Sequence, residues 1–566
     1  MKCFDFDESV QKVLNDSFSD IELTNWKSWL EISSSEEFEE LCLKNSGLSS
    51  VNEILERVTS EVTDSRSFSI NLEEFLSNYN QSYTPIVCHT SGTTNIKISA
   101  LKWFFMAKSV VQRNWAPGMQ AIFESSGLDS KSSAVIFVPS RIKLDGLQYY
   151  EGQPYISLYS SEFSQRVMLS IIKPKTYTFY EYKNSKSLDV ISKILDMDDI
   201  RVISAPALTI LGWADLEKLT LRVQKSLDDL PDYKTPILEN LISIIEKEGI
   251  QKASKVIQEK LSEKLSKATI IFSISSLSEQ NWALIRKFMK WEKGSERFTN
   301  LYVASEIGPF ASSISKGDFE ISRQNRLFVF PLTLPVIEHH GKKQLISRAS
   351  NKMGKLLVSR MDGSEALINI DLGDIITVKE NEGLPQIDGK IIRSSFKLKY
   401  DLKLSEKLAI PFDYNIYAGD FFSLNEFTIN RPRNLINCLK NDCNLEVDAL
   451  LLLKNNKKTW DLVFPSNIQE NCMEDKKLLE LISSCPHQEE LTQGIINNLI
   501  KIDFIDDQPV DFLATRSEIL NKVHEGQAPK GILKKWPLYV IIPKNDENNL
   551  ILKKKKKEKH NLLPNG

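Results

Sequence analysis

Thr90-Ser91-Gly92-Thr93-Thr94, with Lys97 close behind, is a run of hydroxyl and glycine residues placed where an apolar, β-branched stretch, YTPIVCHT, comes to its end. Such a loop can wrap a phosphate chain. Its backbone N–H groups and hydroxyls donate toward one centre, glycine lets the main chain approach closely, and lysine adds a point charge. The same residue types also build ordinary turns. The P-loop spacing G-x-x-x-x-G-K-[ST] does not occur, which removes the P-loop NTPase reading.

Three further strings carry chemistry. TNLYVASEIGPFASS predicts an apolar strand ending at Ser305-Glu306, so one carboxylate stands at a strand end, where it serves as a metal ligand or as the cap of a following helix. ALINIDLGDIITV sets Asp371 and Asp374 around Gly373, which predicts a tight connection between two strands. APKGILKKW offers Lys530, Lys534 and Lys535 in a late basic stretch, read either as a catalytic cation or as a solvated face.

The elements that must position these groups follow from periodicity. From residue 1 to about residue 80 apolar residues recur at helical spacing, as in VNEILERVTSEV. Between about 81 and 389, short β-rich runs (SAVIFVPS, DIRVISAP, ATIIFSIS, TNLYVASE) alternate with long helical ones such as LENLISIIEKEGIQKASKVIQEKLSEKL. Alternation of this kind predicts an α/β domain with mostly parallel sheets covered by helices. Ligands gather beyond the carboxyl ends of such strands, so those ends should line one cleft at the rim of a shared sheet. From 390 to 548 the texture changes to short strands and helices, a smaller α+β unit, with a hinge near Gly389. Residues 549–566, with lysines from Lys553 to Lys557, read as a solvated tail.

Composition excludes several classes. The 566 residues carry 72 basic and 75 acidic side chains, a formal charge of −3, so no global field points to nucleic acid. Seven cysteines (Cys3, Cys42, Cys88, Cys438, Cys443, Cys472, Cys485) are too few and too scattered for a disulfide framework, and a reducing interior is expected. His339 and His340, adjacent on a predicted strand, should point apart and support no zinc site. The N-terminus MKCFDFDESV is acidic where a secretion signal would be basic, and no run of 18 apolar residues occurs, which predicts a cytoplasmic protein without a membrane span.

Taken in order, the strings resemble motifs of the adenylate-forming superfamily of acyl-CoA and aryl-CoA synthetases, most like its phenylacetate-CoA ligase and acyl-protein synthetase branch. TSGTTNIK resembles the hydroxyl-rich phosphate loop, YVASEIGP the Tyr-Gly-x-Ser/Thr-Glu motif, DLGDI the Thr-Gly-Asp motif, and IDGKIIRSSFKLK the Gly-Arg hinge. The likeness runs from about residue 65 to 400. Asn95 and Val303 stand where the family has glycine, Leu372 where it has threonine, and Lys390 where it has the hinge arginine. Tyr400 or Asp401 occupies the place of a later glycine.

The resemblance implies activation of a carboxylic acid by ATP as an acyl- or aryl-adenylate with release of pyrophosphate, then transfer to a thiol, coenzyme A. Delivery to a protein or amine is the alternative acceptor, and a degenerate binding or scaffold protein the alternative class. It implies that Ser91, Thr93 and Thr94, with Thr90, Gly92 and Lys97, grip the phosphates. Glu306, beside Ser305, would hold Mg²⁺. Asp374 would accept from the ribose hydroxyls, Tyr302 flank the adenine, and Lys390 take over the arginine's contact. Lys530 or Lys534 would offset the repulsion between carboxylate and α-phosphate, on a small domain turning near Lys390. Trp115, Tyr149, Tyr150 and Trp213 are either walls of the acid pocket or plain core.

Overall fold

The structure, a computed structural model, describes residues 6–544 apart from 19–35, 38, 41–42, 44–48, 62–67, 91–96, 98, 100, 140, 233, 274–278, 314–325, 362–365, 382–383, 411–412, 425–426, 444–446, 448, 456–458, 467–474, 512–518, 521 and 524–533. The chain divides into two compact α/β units, one of residues 1–91 and 99–391, the other of residues 92–98 and 392–566.

In the first unit the four predicted strands form, Ser133–Val138, Ile200–Ser204, Thr269–Ser273 and Phe298–Ala304 in that order, with a further strand, Thr176–Glu181, beside the first, and all pair in parallel. Burial on both faces explains their nearly unbroken apolar runs. Val135 and Phe137 pack with Leu219, Leu238, Ile257 and Leu261 of the long helices on one side, while Ala134, Ile136 and Val138 pack with Met119, Ile122 and Phe123 on the other. The long helical run is two helices, Pro236–Glu248 and Ile250–Leu265, parted by Gly249 at φ +82°.

The parallel part ends at Ala304. Beyond it the sheet continues through antiparallel pairing, from Gly308–Ser312 to Arg326–Val329, Leu384–Asp388, Ala366–Asn381, Met353–Met361, Thr333–His339 and Lys342–Leu345. Three of these pairings, Thr333–His339 with Lys342–Leu345, Met353–Met361 with Ala366–Asn381 and Ala366–Asn381 with Leu384–Asp388, join strands adjacent in the sequence, whose short separations leave no room for a helical crossover. A separate four-stranded sheet holds Trp103–Phe105, Ile86–His89, Gln153–Leu158 and Gly146–Tyr150. The strand before the hydroxyl run therefore does not share a sheet with Glu306 and Asp374, contrary to the sequence expectation. The apolar alternation that marks a strand does not say which sheet receives it.

The first helix, Phe6–Phe18, buries Val10, Leu14 and Phe18. Its acidic end is held by charge. Arg166, fully buried, pairs with Asp7 and with Glu162 (2.8 Å), and Arg141 pairs with Asp7 (2.7 Å) and Glu162 (2.9 Å). Burial, the largest influence on Arg141, would ease its proton off, but Glu162 and Asp7 outweigh it and hold its affinity above the ordinary value.

The second unit has a six-stranded sheet ordered Phe396–Lys397, Tyr414–Gly419, Leu538–Pro543, Leu450–Lys454, Trp460–Pro465 and Ile500–Ile505. Leu450 and Leu452 pack into one core with the helices Pro432–Cys443 and Asp475–Ser484, and Leu451 and Leu453 into another with Trp536 and Tyr539. Cys438 and Cys485 are bonded, with Cα atoms 6.4 Å apart. One bridge makes no disulfide framework, but it is a pairing that the sequence analysis did not single out. Their separation of 47 residues gave no sign of the pairing, which packing of the two helices brings about. His339 and His340 are corrected. The strand stops at His339, His340 turns back at φ +49°, and the rings lie 4.1 Å apart.

Candidate functional site

Phe298–Ala304 and Gly308–Ser312 form a hairpin whose turn is Ser305-Glu306-Ile307, closed by the Ile307 N–H donating to Ala304 O (3.1 Å). Glu306 therefore heads a strand, not a helix, and the cap reading falls. Gly308 sits at φ +85°, and a Cβ built on it would lie 1.8 Å from Cζ2 of Trp115. That indole also donates from Nε1 to Ile307 O (3.2 Å). Trp115 closes a π-helical turn, Val111–Trp115. Its ring is fully buried against the Glu306 turn, in the same core cluster as Ile86 and Cys88 of the strand leading to Thr90.

Tyr302 lies three residues before the turn, buried, with its ring 4.4 Å from that of Phe310. Its hydroxyl donates to Asp374 Oδ2. Asp374 is not in a connection between strands, as the sequence suggested. It lies inside the single strand Ala366–Asn381, at a bulge where Lys355 faces Ile375 and Leu357 faces Asp371. Gly373, at φ +72°, lets the backbone make that bulge, and its N–H donates to Asp371 Oδ1 (2.8 Å). The bulge separates the two carboxylates. Asp371 is exposed and pairs with Lys355 (2.5 Å), Leu372 is buried in the core, and half-buried Asp374 meets Tyr302.

Thr90 ends the buried strand Ile86–His89. Its N–H donates to Lys102 O (3.1 Å) and its Oγ1 accepts from Lys102 N–H (3.3 Å). Ser91, Gly92, Thr93 and Thr94 lie outside the described residues, as do Asn95 and Lys530. Lys97 is exposed. Lys390 is exposed as well, its N–H held by Asp388 Oδ1 (3.0 Å) one residue before the end of the first unit at Ile391. Lys534 and Lys535 are exposed in the second unit, where the Lys534 ammonium lies 4.2 Å from the Trp536 ring. The structure thus joins Tyr302 and Asp374 directly and sets Ser305 and Glu306 in the adjoining turn.

The sequence matches no family model and no curated protein. Among solved structures, it is similar to a 2-hydroxyisobutyryl-CoA ligase in an open conformation with 2-HIB-AMP and CoA, at 8% identity and a TM-score of 0.43, over 88% of this chain and 87% of that one. It is similar to the GH3.15 acyl acid amido synthetase at 11% identity and a TM-score of 0.47, over 96% and 94% of the two chains. The amide bond synthetase McbA from Marinactinospora thermotolerans matches at 10% identity and a TM-score of 0.36, over 75% and 68%.

Two of the aromatic residues considered as pocket walls are core. Trp115 and Trp213 are buried, and Trp213 Nε1 donates to Ser185 O (3.0 Å). Tyr150 accepts from Ser77 Oγ (3.2 Å), while Tyr149 is 67% exposed. A pair that sequence reading missed stands beside Thr90. His89 Nε2 lies 2.7 Å from Asp145 Oδ1, and both side chains are buried. The signal was a histidine ending an otherwise apolar strand; nothing linked it to an aspartate 56 residues on.

Glu306 fits Mg²⁺ on its chemistry. That hard cation takes one or two carboxylates and completes its shell with phosphate and water oxygens, and a half-buried carboxylate in a pinned turn offers such a ligand. Among the described residues no group of three His, Cys, Asp or Glu converges, so no all-protein cage competes with it.

Proposed function

We propose that this chain activates a carboxylic acid with ATP, forming an acyl- or aryl-adenylate and pyrophosphate, and then passes the acyl group to the thiol of coenzyme A. The observation that carries the reading is the Tyr302–Asp374 hydrogen bond, which brings the YVASE and DLGD strings together across 72 residues. Two strings of separate chemical meaning gain a common purpose when they meet at one place.

The chemistry asks for this arrangement. A carboxylate is a poor electrophile, and AMP makes its carbon attackable. A carboxylate oxygen attacks the α-phosphorus, the bond from phosphorus to the bridging oxygen breaks, and pyrophosphate leaves with the electron pair. Thiolate then attacks the acyl carbon and AMP departs. Asp374, oriented by the Tyr302 hydroxyl, accepts from the ribose hydroxyls and fixes the nucleotide. The string opened by Thr90 donates to the phosphates. Glu306, in its pinned turn, would hold Mg²⁺, which when bound would supply positive charge for the pyrophosphate leaving group.

The test is product analysis. With MgATP, coenzyme A, pooled amines and pooled aliphatic and aromatic acids, the full chain should release AMP, not ADP, and mass spectrometry should find one acyl-CoA. AMP release with amide products in place of a thioester would reject coenzyme A as acceptor. ADP as the nucleotide product would reject adenylation.

A further inference from the structure

We propose that His89 is a positioning residue for ATP, acting by holding the carbonyl of Thr90, the first residue of the hydroxyl string, in place; the inference rests on the adenylation reading. Thr90 O, a carbonyl oxygen that can only accept, lies 2.9 Å from His89 Nδ1, so Nδ1 carries hydrogen and donates. Nε2 faces the Asp145 carboxylate at 2.7 Å, and the other oxygen of that carboxylate accepts from Ile142 N–H (2.8 Å). The ring is wedged between Tyr159 (4.4 Å) and Trp103 (5.1 Å). The Thr90 amide and hydroxyl are engaged by Lys102, so all three polar groups of the residue that opens the string are fixed.

The geometry argues against other roles. Both ring nitrogens are occupied and the ring is buried, so His89 is no general base. The neighbouring Cys88 is fully buried and burial pushes its thiol up, away from the thiolate a Cys–His nucleophile needs. What remains is a rigid link running from Ile142 through Asp145 and His89 to the Thr90 carbonyl. Its action on ATP is indirect, through the backbone.

Two substitutions separate positioning from packing. Asparagine places a side-chain N–H near the position of Nδ1, whereas glutamine places one near Nε2. His89→Asn therefore keeps the donor to Thr90, and His89→Gln keeps only the contact with Asp145. Isothermal titration of MgATP into the full chain should give a Kd raised at least about tenfold for His89→Gln and within about threefold of wild type for His89→Asn, with similar melting temperatures for the two variants. Equal Kd values for both variants, or an unchanged Kd in His89→Gln, would overturn the positioning role while leaving adenylation standing. A wild-type chain that does not bind MgATP would overturn the adenylation reading, and this inference with it.

Discussion

Tyr302 donates its phenolic hydrogen to Asp374, tying the strand that leads to Glu306 to the bulged strand Ala366–Asn381. A hydrogen bond to a charged acceptor contributes about 1.5–3 kcal/mol when buried and less where one partner is half-exposed. Tyr302→Phe keeps the ring packing against Phe310 and removes only the donor. The substitution should lower stability by about 1 kcal/mol in urea, and weaken ATP binding several-fold by removing the phenolic donor that orients the Asp374 carboxylate. Unchanged ATP affinity would mean that the orientation of Asp374 does not matter to the nucleotide.

Gly308 is fixed by two constraints at once. Its positive φ strains any L side chain, and Trp115 occupies the space a Cβ needs. Gly308→Ala should cost about 3 kcal/mol or more, the sum of backbone strain and overpacking. Adding Trp115→Leu should recover the overpacking part and leave the strain. Urea unfolding of the single and double variants measures this, and strictly additive costs would contradict a direct clash.

The charge network under the first helix predicts a local failure. Removing one partner of a buried pair costs about 3–5 kcal/mol because the other charge stays behind. Arg166→Met removes the fully buried guanidinium that pairs with both Asp7 and Glu162, so the helix Phe6–Phe18 should detach first. Limited proteolysis should then cut within that helix while the parallel sheet stays protected. Resistance equal to wild type would show that apolar packing alone holds the helix.

Cys88 gives a prediction in pH. Burial pushes its thiol up in the folded chain, with Asp145 adding repulsion, whereas an unfolded thiol titrates at about 8.5. A folded affinity raised above the unfolded one stabilises fully below that value, and the contribution is lost as pH rises toward the folded one. Stability should therefore fall above about pH 8.5, and Cys88→Ala should flatten that fall. Iodoacetamide should leave Cys88 unmodified until urea unfolds the chain; labelling of Cys88 in the native protein at pH 8 would contradict its burial.

Much of this organisation was legible in the residues themselves. The strands Ser133–Val138, Ile200–Ser204, Thr269–Ser273 and Phe298–Ala304 form where β-branched runs place them, because burial on two faces leaves an unmistakable apolar signature. The DLGD string was misread because a bulge and a tight connection use the same residues, glycine flanked by aspartates; only pairing with Met353–Met361 tells them apart. The link from His89 to Asp145 was invisible for a different reason. Long-range polar pairs leave no periodicity, and neither partner's position along the chain hints at the other.

Acid-dependent exchange of labelled pyrophosphate into ATP, measured on the full chain and on Glu306→Gln across a library of carboxylic acids, tests adenylation most directly. The prediction is exchange that requires one class of acid and falls at least about a hundredfold in Glu306→Gln, with the melting temperature unchanged. No exchange with any acid, or wild-type exchange from Glu306→Gln, would contradict it.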